Sequence, residues 1–208
     1  MNYSTFFSRQ ARKPSGIFGR FYMSRLFEKG NAELNSFVKE TLDIRKADHV
    51  LEIGFGTGAL LKGIAETLEG GIIEGVDFSK SMVSIAQKKN KKHIKNGKVK
   101  IQIGDFDSLP YEENSFDKIF SVNTIYFWQN PQATISKIFR LLKPGGKLVL
   151  GFHDKTDMEK MPLNKDVFQY YSTDEAAELL SKDGSLNDVE ILSKNGEMKT
   201  CYCAVGIK

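Results

Sequence analysis

Glu52, Gly54, Gly56 and Gly58 stand at alternate positions directly after a short apolar run, and this spacing predicts a ligand-binding turn. Glycine lets the backbone adopt dihedral angles that other residues avoid, and it lets a ligand approach without meeting a Cβ atom. An apolar pattern with helical spacing begins at Ala59, so the unpaired amides of a helix N-terminus follow the turn. A buried carboxylate at position 52 needs a charged or hydrogen-bonded partner. The stretch therefore predicts a site for a nucleotide-like molecule.

Two further acidic residues end predicted strands, where open α/β sheets bind their ligands. Asp77 can accept hydrogen bonds from both hydroxyls of a ribose, or it can cap the helix that begins near Ser79. Asp105 ends the next strand, and Asp107 could take its place, although an aspartate in such a loop is often only a turn former. Both carboxylates are expected beside the glycine turn.

The turn satisfies two different nucleotide-binding patterns. Gly54, Gly56 and Ala59 match the dinucleotide pattern G-x-G-x-x-G/A, and Asp77 stands at about the expected distance downstream. A nicotinamide-dependent oxidoreductase is therefore one interpretation. The longer string Glu52-x-Gly54-x-Gly56-x-Gly58 favours another, because it resembles the first motif of the class I S-adenosylmethionine-dependent methyltransferases.

The resemblance continues along the chain in the order and at the spacing of that family, from roughly residue 45 to residue 152. It is carried by the segments Gly75-Val76-Asp77-Phe78-Ser79, Gly104-Asp105-Phe106, Phe116-Asp117-Lys118-Ile119 and Leu141-Leu142-Lys143-Pro144-Gly145-Gly146. It implies S-adenosylmethionine as the cofactor, bound against the turn of Gly54, Gly56 and Gly58.

The resemblance also implies roles for the residues that match the family's motifs. Asp77 would bind the ribose hydroxyls, and Phe78 and Met82 would cover the adenine. Asp105 would accept a hydrogen bond from the exocyclic amine of the adenine, while the Phe106 amide would bind a ring nitrogen.

The methionine end of the cofactor is assigned by the same resemblance. Glu52 would meet the ammonium group directly or through water, and the Gly54 carbonyl together with Ser121 or Asn123 would complete that end. The alternative for Glu52 is a purely structural carboxylate that holds the glycine loop.

The residues after the fourth predicted strand bear on the acceptor of the methyl group. Methyltransferases acting on base or side-chain nitrogens commonly carry Asn/Asp-Pro-Pro-Tyr/Phe here, and Asn123-Thr124-Ile125-Tyr126 lacks both prolines and a cysteine nucleophile. Tyr126 and Trp128 could shape an acceptor pocket, although aromatic residues at this spacing are as often core. His153 and Tyr126 are candidate bases where the acceptor must lose a proton.

We expect in-line transfer to a small molecule, with a non-catalytic cofactor-binding protein as the alternative.

Alternating strands and helices must position these residues. Asn31 is a plausible N-cap for a helix with Leu34, Phe37, Val38 and Leu42 on one face. A lysine-rich loop is expected before the third strand, and the last two strands are too closely spaced for a crossover, so they are expected to be antiparallel. The prediction is an α/β, Rossmann-like, seven-stranded sheet that is mostly parallel, with helices on both faces and an antiparallel final strand. The predicted strands are residues 49–53, 72–76, 99–103, 116–122, 147–152, 189–192 and 200–206.

Residues 1–30 are predicted to form an N-terminal helical arm or lid, and residues 31–208 the S-adenosylmethionine-binding domain. The arm mixes aromatic residues with arginines, and a disordered tail would seldom carry so many aromatics. Its aromatics require burial, which a lid over the cofactor would provide; an arm that only covers the core is the alternative.

The composition of the chain limits which binding partners and which cellular compartment are expected. The 208 residues carry a net charge of +4, with basic clusters in the arm and between Lys88 and Lys100, yet solvated helix ends explain such runs more often than nucleic-acid binding does. The sequence has no membrane-length apolar run and no signal peptide, so a cytoplasmic protein without membrane contact is expected. Cys201 and Cys203 are interpreted as inert thiols, and no metal site is expected.

Overall fold

The strands of the sheet match the apolar runs of the sequence closely. The structure, a computed structural model, describes residues 3–182, 186–197 and 199–208. The first four strands begin where the sequence predicts. In chain order the strands are β1 (His49–Ile53), β2 (Ile72–Asp77), β3 (Val99–Ile103), β4 (Phe116–Val122), β5 (Leu142–Phe152), β6 (Asn187–Asn195) and β7 (Thr200–Ile207).

Seven strands form one sheet in the order β3-β2-β1-β4-β5-β7-β6. Neighbouring strands from β3 to β5 are parallel, and β7 is antiparallel to both β5 and β6. The chain reverses direction along the sheet between β3 and β4, so the carboxyl ends of β1 and β4 flank the crevice where such sheets bind ligands. The predicted fold class is confirmed, including the antiparallel final strand.

Helices cover both faces of the sheet. Leu34 and Leu61, on two of the helices, belong to one buried cluster, and Ile138 and Leu180, on two others, belong to the second. Short 3₁₀ turns lie at Phe106–Ser108 and Ile125–Phe127. The helices are α1 (Tyr3–Arg12), α2 (Ser24–Gly30), α3 (Ala32–Leu42), α4 (Ala59–Ala65), α5 (Lys80–Lys89), α6 (Lys91–Lys95), α7 (Pro131–Leu141), α8 (Lys155–Met158) and α9 (Thr173–Ser181), with a π-helical turn at Phe18–Met23.

Two local predictions were wrong, and a third was confirmed in position only. The lysine-rich stretch predicted as a loop contains the short helix α6, which follows α5 after the single residue Asn90. Strand β5 begins at Leu142 rather than at residue 147, because Leu142 already pairs with Phe116 of β4. Asn31 occupies the N-cap position of α3, but its side chain makes no capping bond and accepts a hydrogen bond from Asn123 Nδ2 at 3.0 Å.

The first helix of the arm packs against the segment that follows β5. Ser4 Oγ donates to the Pro162 carbonyl at 2.9 Å, and the side chain of Asn164 donates to Thr5 Oγ1 at 2.8 Å. The Asn164 amide donates to Ser8 Oγ at 2.9 Å. Residues 1 and 2 of the predicted arm lie outside the described residues.

The rest of the arm contacts the helix that follows β2. Ser79 Oγ donates to the Pro14 carbonyl at 2.6 Å, and Lys89 Nζ pairs with Glu28 on α2. The same ammonium lies 3.3 Å from Thr57 Oγ1 in the glycine turn. The arm therefore joins the two sides of the crevice at the carboxyl ends of the strands.

The described part of the chain contains no helix with both the length and the apolar character that crossing a bilayer requires. Cys201 and Cys203 are free thiols buried on β7, and burial raises the pKa of Cys203 to about 12. Within the described ranges, no group of three His, Cys, Asp or Glu side chains could hold a metal ion.

Candidate functional site

A cavity of about 1520 Å³ opens at the carboxyl ends of β1, β2 and β4, beneath the arm. Most of the residues singled out from the sequence line it, although Gly58 and Ser121 do not. The predicted residues on its wall are Glu52, Gly54, Gly56, Asp77, Phe78, Met82, Asp105, Phe106, Tyr126, Trp128 and His153.

The three glycines of the turn have different structural roles, and each has a positive φ. A Cβ on Gly54 would lie 2.4 Å from Thr124 Cγ2, and a Cβ on Gly58 would lie 2.7 Å from Ala86 Cβ. These two glycines allow close packing within the protein. A Cβ on Gly56 would meet no atom within 4 Å, so this glycine alone keeps open space for a ligand.

Glu52 is a buried carboxylate that is short of partners. Its side chain is 3% exposed, and Oε2 has no hydrogen-bond partner in the structure. Burial raises the pKa of Glu52 well above its usual range, and the nearby Asp77 raises it further. A buried acceptor without a partner is costly, so the site fits a ligand that brings a hydrogen-bond donor.

Asp77 holds the glycine turn as well as facing the cavity. Its Oδ2 accepts from the Gly56 amide at 2.9 Å, and its Oδ1 accepts from the Ser79 amide at 2.8 Å. Burial raises the pKa of Asp77 from 3.8 to about 6, and these two bonds only partly offset it. Ser79, not Asp77, caps α5, because Ser79 Oγ accepts from the Met82 amide. Since a carboxylate has about four lone-pair positions, Asp77 keeps two for a ligand.

Phe78 and Met82 form an apolar wall beside Asp77. Met82 is 1% exposed, while Phe78 is half-buried, and both line the cavity. Lys13 of the arm lies over the Phe78 ring, with Nζ 5.4 Å from the ring centroid. The arm therefore covers this wall from above.

Asp105 and Phe106 lie on a loop that Lys137 of α7 holds in place. Lys137 Nζ donates to the carbonyls of Phe106, Asp107 and Leu109 at 2.5, 3.1 and 2.7 Å. Asp107 is also bound by the Thr134 hydroxyl at 3.0 Å. The Asp105 carboxylate accepts only from the Asp107 amide among the described groups, at 3.1 Å, which leaves it more capacity for a ligand than the Asp107 carboxylate has.

Ser121 does not line the cavity. Its hydroxyl lies 2.6 Å from Thr124 Oγ1, and Asn123 and Thr124 are the residues of this loop that line the cavity. Asn123 has a φ of +54° and is fixed by its bond to Asn31. Of the two alternatives left by the sequence for this position, the geometry favours Asn123.

The predicted acceptor-side residues differ in how free their polar atoms are. The Tyr126 hydroxyl is buried, accepts from the His153 amide at 2.6 Å and lies 3.1 Å from the His153 carbonyl. Burial raises its pKa, so Tyr126 is a poor base. Trp128 is half-buried at the cavity wall.

His153 is a better base than Tyr126. Its Nδ1 lies 3.2 Å from the Thr200 carbonyl oxygen, which can only accept, so the neutral ring carries its proton on Nδ1 and keeps a lone pair on Nε2. Burial lowers the pKa of His153, and the Thr200 carbonyl partly opposes this. No described residue forms a hydrogen bond with Nε2. This nitrogen therefore remains a neutral acceptor on a residue that lines the cavity.

The wall opposite the glycine turn contains residues that the sequence analysis did not identify. They come from the segment after β5 and from the start of β7, and no motif or periodicity marks them. These residues are Met158, Met161, Leu163, Asn164, Val167, Phe168 and Lys199.

The electrostatic character of the glycine-turn side fits a cationic ligand. No lysine or arginine of the described chain lies within ion-pair distance of Glu52 or Asp77. Two buried carboxylates without a cation are destabilised, and a bound positive charge would relieve both.

Comparison with known proteins agrees with this geometry. Residues 51–150 match the family model described as "Methyltransferase domain". The chain is 26% identical over 178 residues to an uncharacterized methyltransferase of Bacillus subtilis, YdaC, covering 86% of this chain and 93% of that protein. It is 28% identical over 163 residues to phosphoethanolamine N-methyltransferase 2 of Caenorhabditis elegans, covering 76% of this chain and 37% of that enzyme.

A solved structure shares the fold. A SAM-dependent methyltransferase from Aquifex aeolicus superposes with a TM-score of 0.71 at 21% identity, covering 89% of this chain and 96% of that one. These matches support a class I S-adenosylmethionine-dependent methyltransferase with S-adenosylmethionine as its cofactor.

Proposed function

We propose that the protein transfers a methyl group to a small-molecule acceptor held in the same cavity as the cofactor. The observation that carries this proposal is the size of the cavity, about 1520 Å³, against roughly 300 to 1,000 Å³ for a typical ligand pocket. That space suffices for a cofactor and a small second molecule. The match to an enzyme named for phosphoethanolamine also supports a small acceptor.

The chain's own residues would bind and orient the cofactor without reacting with it. We assign the ammonium of the cofactor to Glu52, its ribose to the two remaining lone-pair positions of Asp77, and its adenine to Phe78, Met82 and the loop of Asp105 and Phe106. The bound cofactor supplies a methyl group already activated by a positive sulfur. Positioning then accounts for most of the work of the protein, and it can contribute roughly 7 to 11 kcal/mol.

His153 is the proposed base for an acceptor that must lose a proton. Its Nε2 lone pair at the cavity wall can accept that proton, and its lowered pKa keeps the ring neutral at physiological pH. The proton on Nδ1 stays bonded to the Thr200 carbonyl, which fixes the ring's orientation.

Turnover at saturating cofactor is expected to fall as pH drops below the ordinary histidine value of 6.5, because His153 becomes protonated there and loses its lone pair. The measurement is kcat against pH for the natural protein and for His153→Gln. The variant is expected to be slower and to lack this acid limb. Saturating cofactor is essential, since Asp77 also titrates near pH 6. An unchanged acid limb in His153→Gln would rule out this base.

The N-terminal arm is proposed to act as a lid over the cofactor site. Its contacts with Ser79 and Lys89 are made by Pro14 and Glu28, which line the cavity, so we expect the arm to move when the cofactor enters or leaves. Closing the site would also exclude water. Met23 in the arm is wholly buried, so deleting residues 1–30 would remove part of the core as well as the lid.

Loosening the lid without deleting it is expected to speed cofactor release. Lys89→Met removes the pair with Glu28 and the contact with Thr57, and dissociation of S-adenosylhomocysteine should become severalfold faster in stopped-flow measurements. Lys91→Met, on the neighbouring helix α6, is the matched control and should change nothing. Equal dissociation rates in all three proteins would contradict a lid held by Lys89.

The competing proposal is a nucleic-acid substrate gripped by the basic arm. A protein that neutralises several phosphates loses affinity steeply as salt rises. We therefore propose to measure RNA and DNA binding from low to physiological salt, and to repeat it with Arg9, Arg12 and Lys13 changed to alanine. Weak binding that is insensitive to these changes is expected. Tight binding with a steep salt slope that the changes abolish would refute the small-molecule proposal.

We also propose a cytoplasmic location for the protein.

A further inference from the structure

Lys199 brings a charged group to the cavity wall opposite the glycine turn, and its charge is poorly compensated. The side chain is half-buried, and its one hydrogen bond in the structure runs from Nζ to Met161 Sδ at 3.0 Å. A thioether is a weak acceptor, whereas an ammonium has three donors to satisfy. Burial lowers the pKa of Lys199, and the charge of Lys160 lowers it as well.

The nearest acidic group does not pair with Lys199. Asp157 is close enough to raise the pKa of Lys199, but its Oδ1 is bound by Lys160 at 2.7 Å. No carboxylate of the described residues lies within 4.0 Å of Lys199 Nζ. The ammonium therefore keeps donors that can reach a ligand in the cavity.

Charged residues of both signs line the cavity, and they differ in how the protein already binds them. Glu52 and Asp77 have no described lysine or arginine within ion-pair distance, whereas Lys137 is bound by three carbonyls of the loop after β3. The other charged lining residues are Arg9, Arg12, Lys13, Glu28, Asp105, Asp107, Arg140 and the exposed Asp166. Lys199 lies near a neutral His153 and has a thioether as the described acceptor of its ammonium, so an anion is favoured beside it.

We propose that Lys199 binds an anionic group, a carboxylate or a phosphate, on the methyl acceptor. The inference rests on the proposed transfer to a small molecule and adds the chemical class of that molecule. His153 Nε2 and the Lys199 ammonium share one wall, so the acceptor would place its anionic group against Lys199 and its reacting atom nearer His153. Charge-assisted hydrogen bonds of this kind are stronger than neutral ones.

The first test measures anion binding directly. Trp128 is the single tryptophan and lines the cavity, so its fluorescence reports on the site. The protein saturated with S-adenosylhomocysteine is titrated with inorganic phosphate and, separately, with acetate at constant ionic strength. We expect a saturable change for at least one anion, weakened about ten- to a hundredfold in Lys199→Met and largely restored in Lys199→Arg.

Lys165→Met is the matched control, because Lys165 is exposed, pairs with Glu159 at 3.6 Å and does not line the cavity. It should titrate like the natural protein. An unaltered response in Lys199→Met, an equal loss in Lys165→Met, or no saturable response in the natural protein would overturn the inference. Lys199→Met should unfold at a temperature no lower than the natural protein and bind S-adenosylhomocysteine equally well, which separates a lost anion site from a misfolded protein.

The second test identifies the source of the anion. Low-mass cell metabolites are separated on an anion exchanger, and each fraction is assayed with methyl-labelled S-adenosylmethionine. Acceptor activity is expected in the retained fractions, and Lys199→Met should raise KM about ten- to a hundredfold with a smaller change in kcat. Loss of activity after phosphatase treatment identifies a phosphate ester, and survival identifies a carboxylate. Activity only in the unretained fraction would overturn the inference while leaving small-molecule transfer intact.

Discussion

Asp77→Ala is expected to weaken the binding of S-adenosylhomocysteine by roughly ten- to a hundredfold, measured by titration calorimetry. The change removes a carboxylate that is proposed to accept two ribose hydrogen bonds, and such charge-assisted bonds contribute about 1.5 to 3 kcal/mol. It also removes the acceptor of the Gly56 and Ser79 amides, so the glycine turn loses its anchor. Both effects act in the same direction.

Asp166→Ala is the control for this prediction, because Asp166 also lines the cavity but lies on the opposite wall. Its affinity for S-adenosylhomocysteine should equal that of the natural protein. An unchanged dissociation constant in a folded Asp77→Ala protein would refute the assignment of Asp77 to the ribose.

Glu52→Gln is expected to stabilise the protein without cofactor and to weaken cofactor binding about ten- to a hundredfold. Glutamine keeps the shape of the side chain but removes a buried charge that has no cation of its own. The same charge is proposed to bind the cofactor's ammonium, so its loss weakens binding. Opposite effects on stability and affinity distinguish a ligand-binding carboxylate from one that holds the glycine loop.

The stability gain of Glu52→Gln should grow as pH rises. The folded pKa of Glu52 lies above the ordinary 4.5, so above that pH the unfolded chain releases a proton that the folded protein retains. The natural protein therefore loses stability as pH rises from about 4.5 through the folded pKa, at roughly 1.4 kcal/mol per pH unit. Each kcal/mol corresponds to about 2 to 4 °C in Tm for a chain of this size.

Glu74→Gln provides the control of opposite sign. A hydrogen bond from His49, followed by one from Lys100, lowers the pKa of Glu74, so its ionised form stabilises the folded state above the ordinary pKa and that stability is lost as pH falls. This variant should show a small loss of Tm at neutral pH and no change in cofactor affinity. A Glu52→Gln protein that is less stable than the natural one at pH 8 would favour the structural alternative.

The centre of the sheet was largely predictable because β1 and β4 are buried along most of their length and rich in apolar residues, whereas the edge strands β3 and β6 are largely exposed. Helix α6 was not predictable, because most of its residues are lysines with no apolar stripe. Its position follows from Asn90, whose side chain donates to the carbonyls of Gly58 and Ala86 at 3.0 Å where the two helices meet. The early start of β5 depends on the pairing of Leu142 with Phe116, which no local pattern reveals.

The residues of the site also fall into a group that the sequence predicts and a group that it does not. The glycine turn, Asp77 and Asp105 are local to strand ends, so their spacing in the sequence fixes their positions relative to one another. The opposite wall is assembled from distant segments: Lys199 meets Met161 from 38 residues away, and Asn164 meets Thr5 from 159 residues away. Such contacts follow from the packing of the whole chain rather than from any motif.

This cavity is proposed to hold S-adenosylmethionine at Glu52 and Asp77 and to pass its methyl group to a small molecule. The most direct measurement incubates the protein with methyl-labelled S-adenosylmethionine and a whole-cell extract, and then separates the products by mass. We predict label in the low-mass fraction with the natural protein, and much less with Asp77→Ala at limiting cofactor. Label that enters RNA, DNA or protein instead, or that appears equally with Asp77→Ala, would contradict the claim.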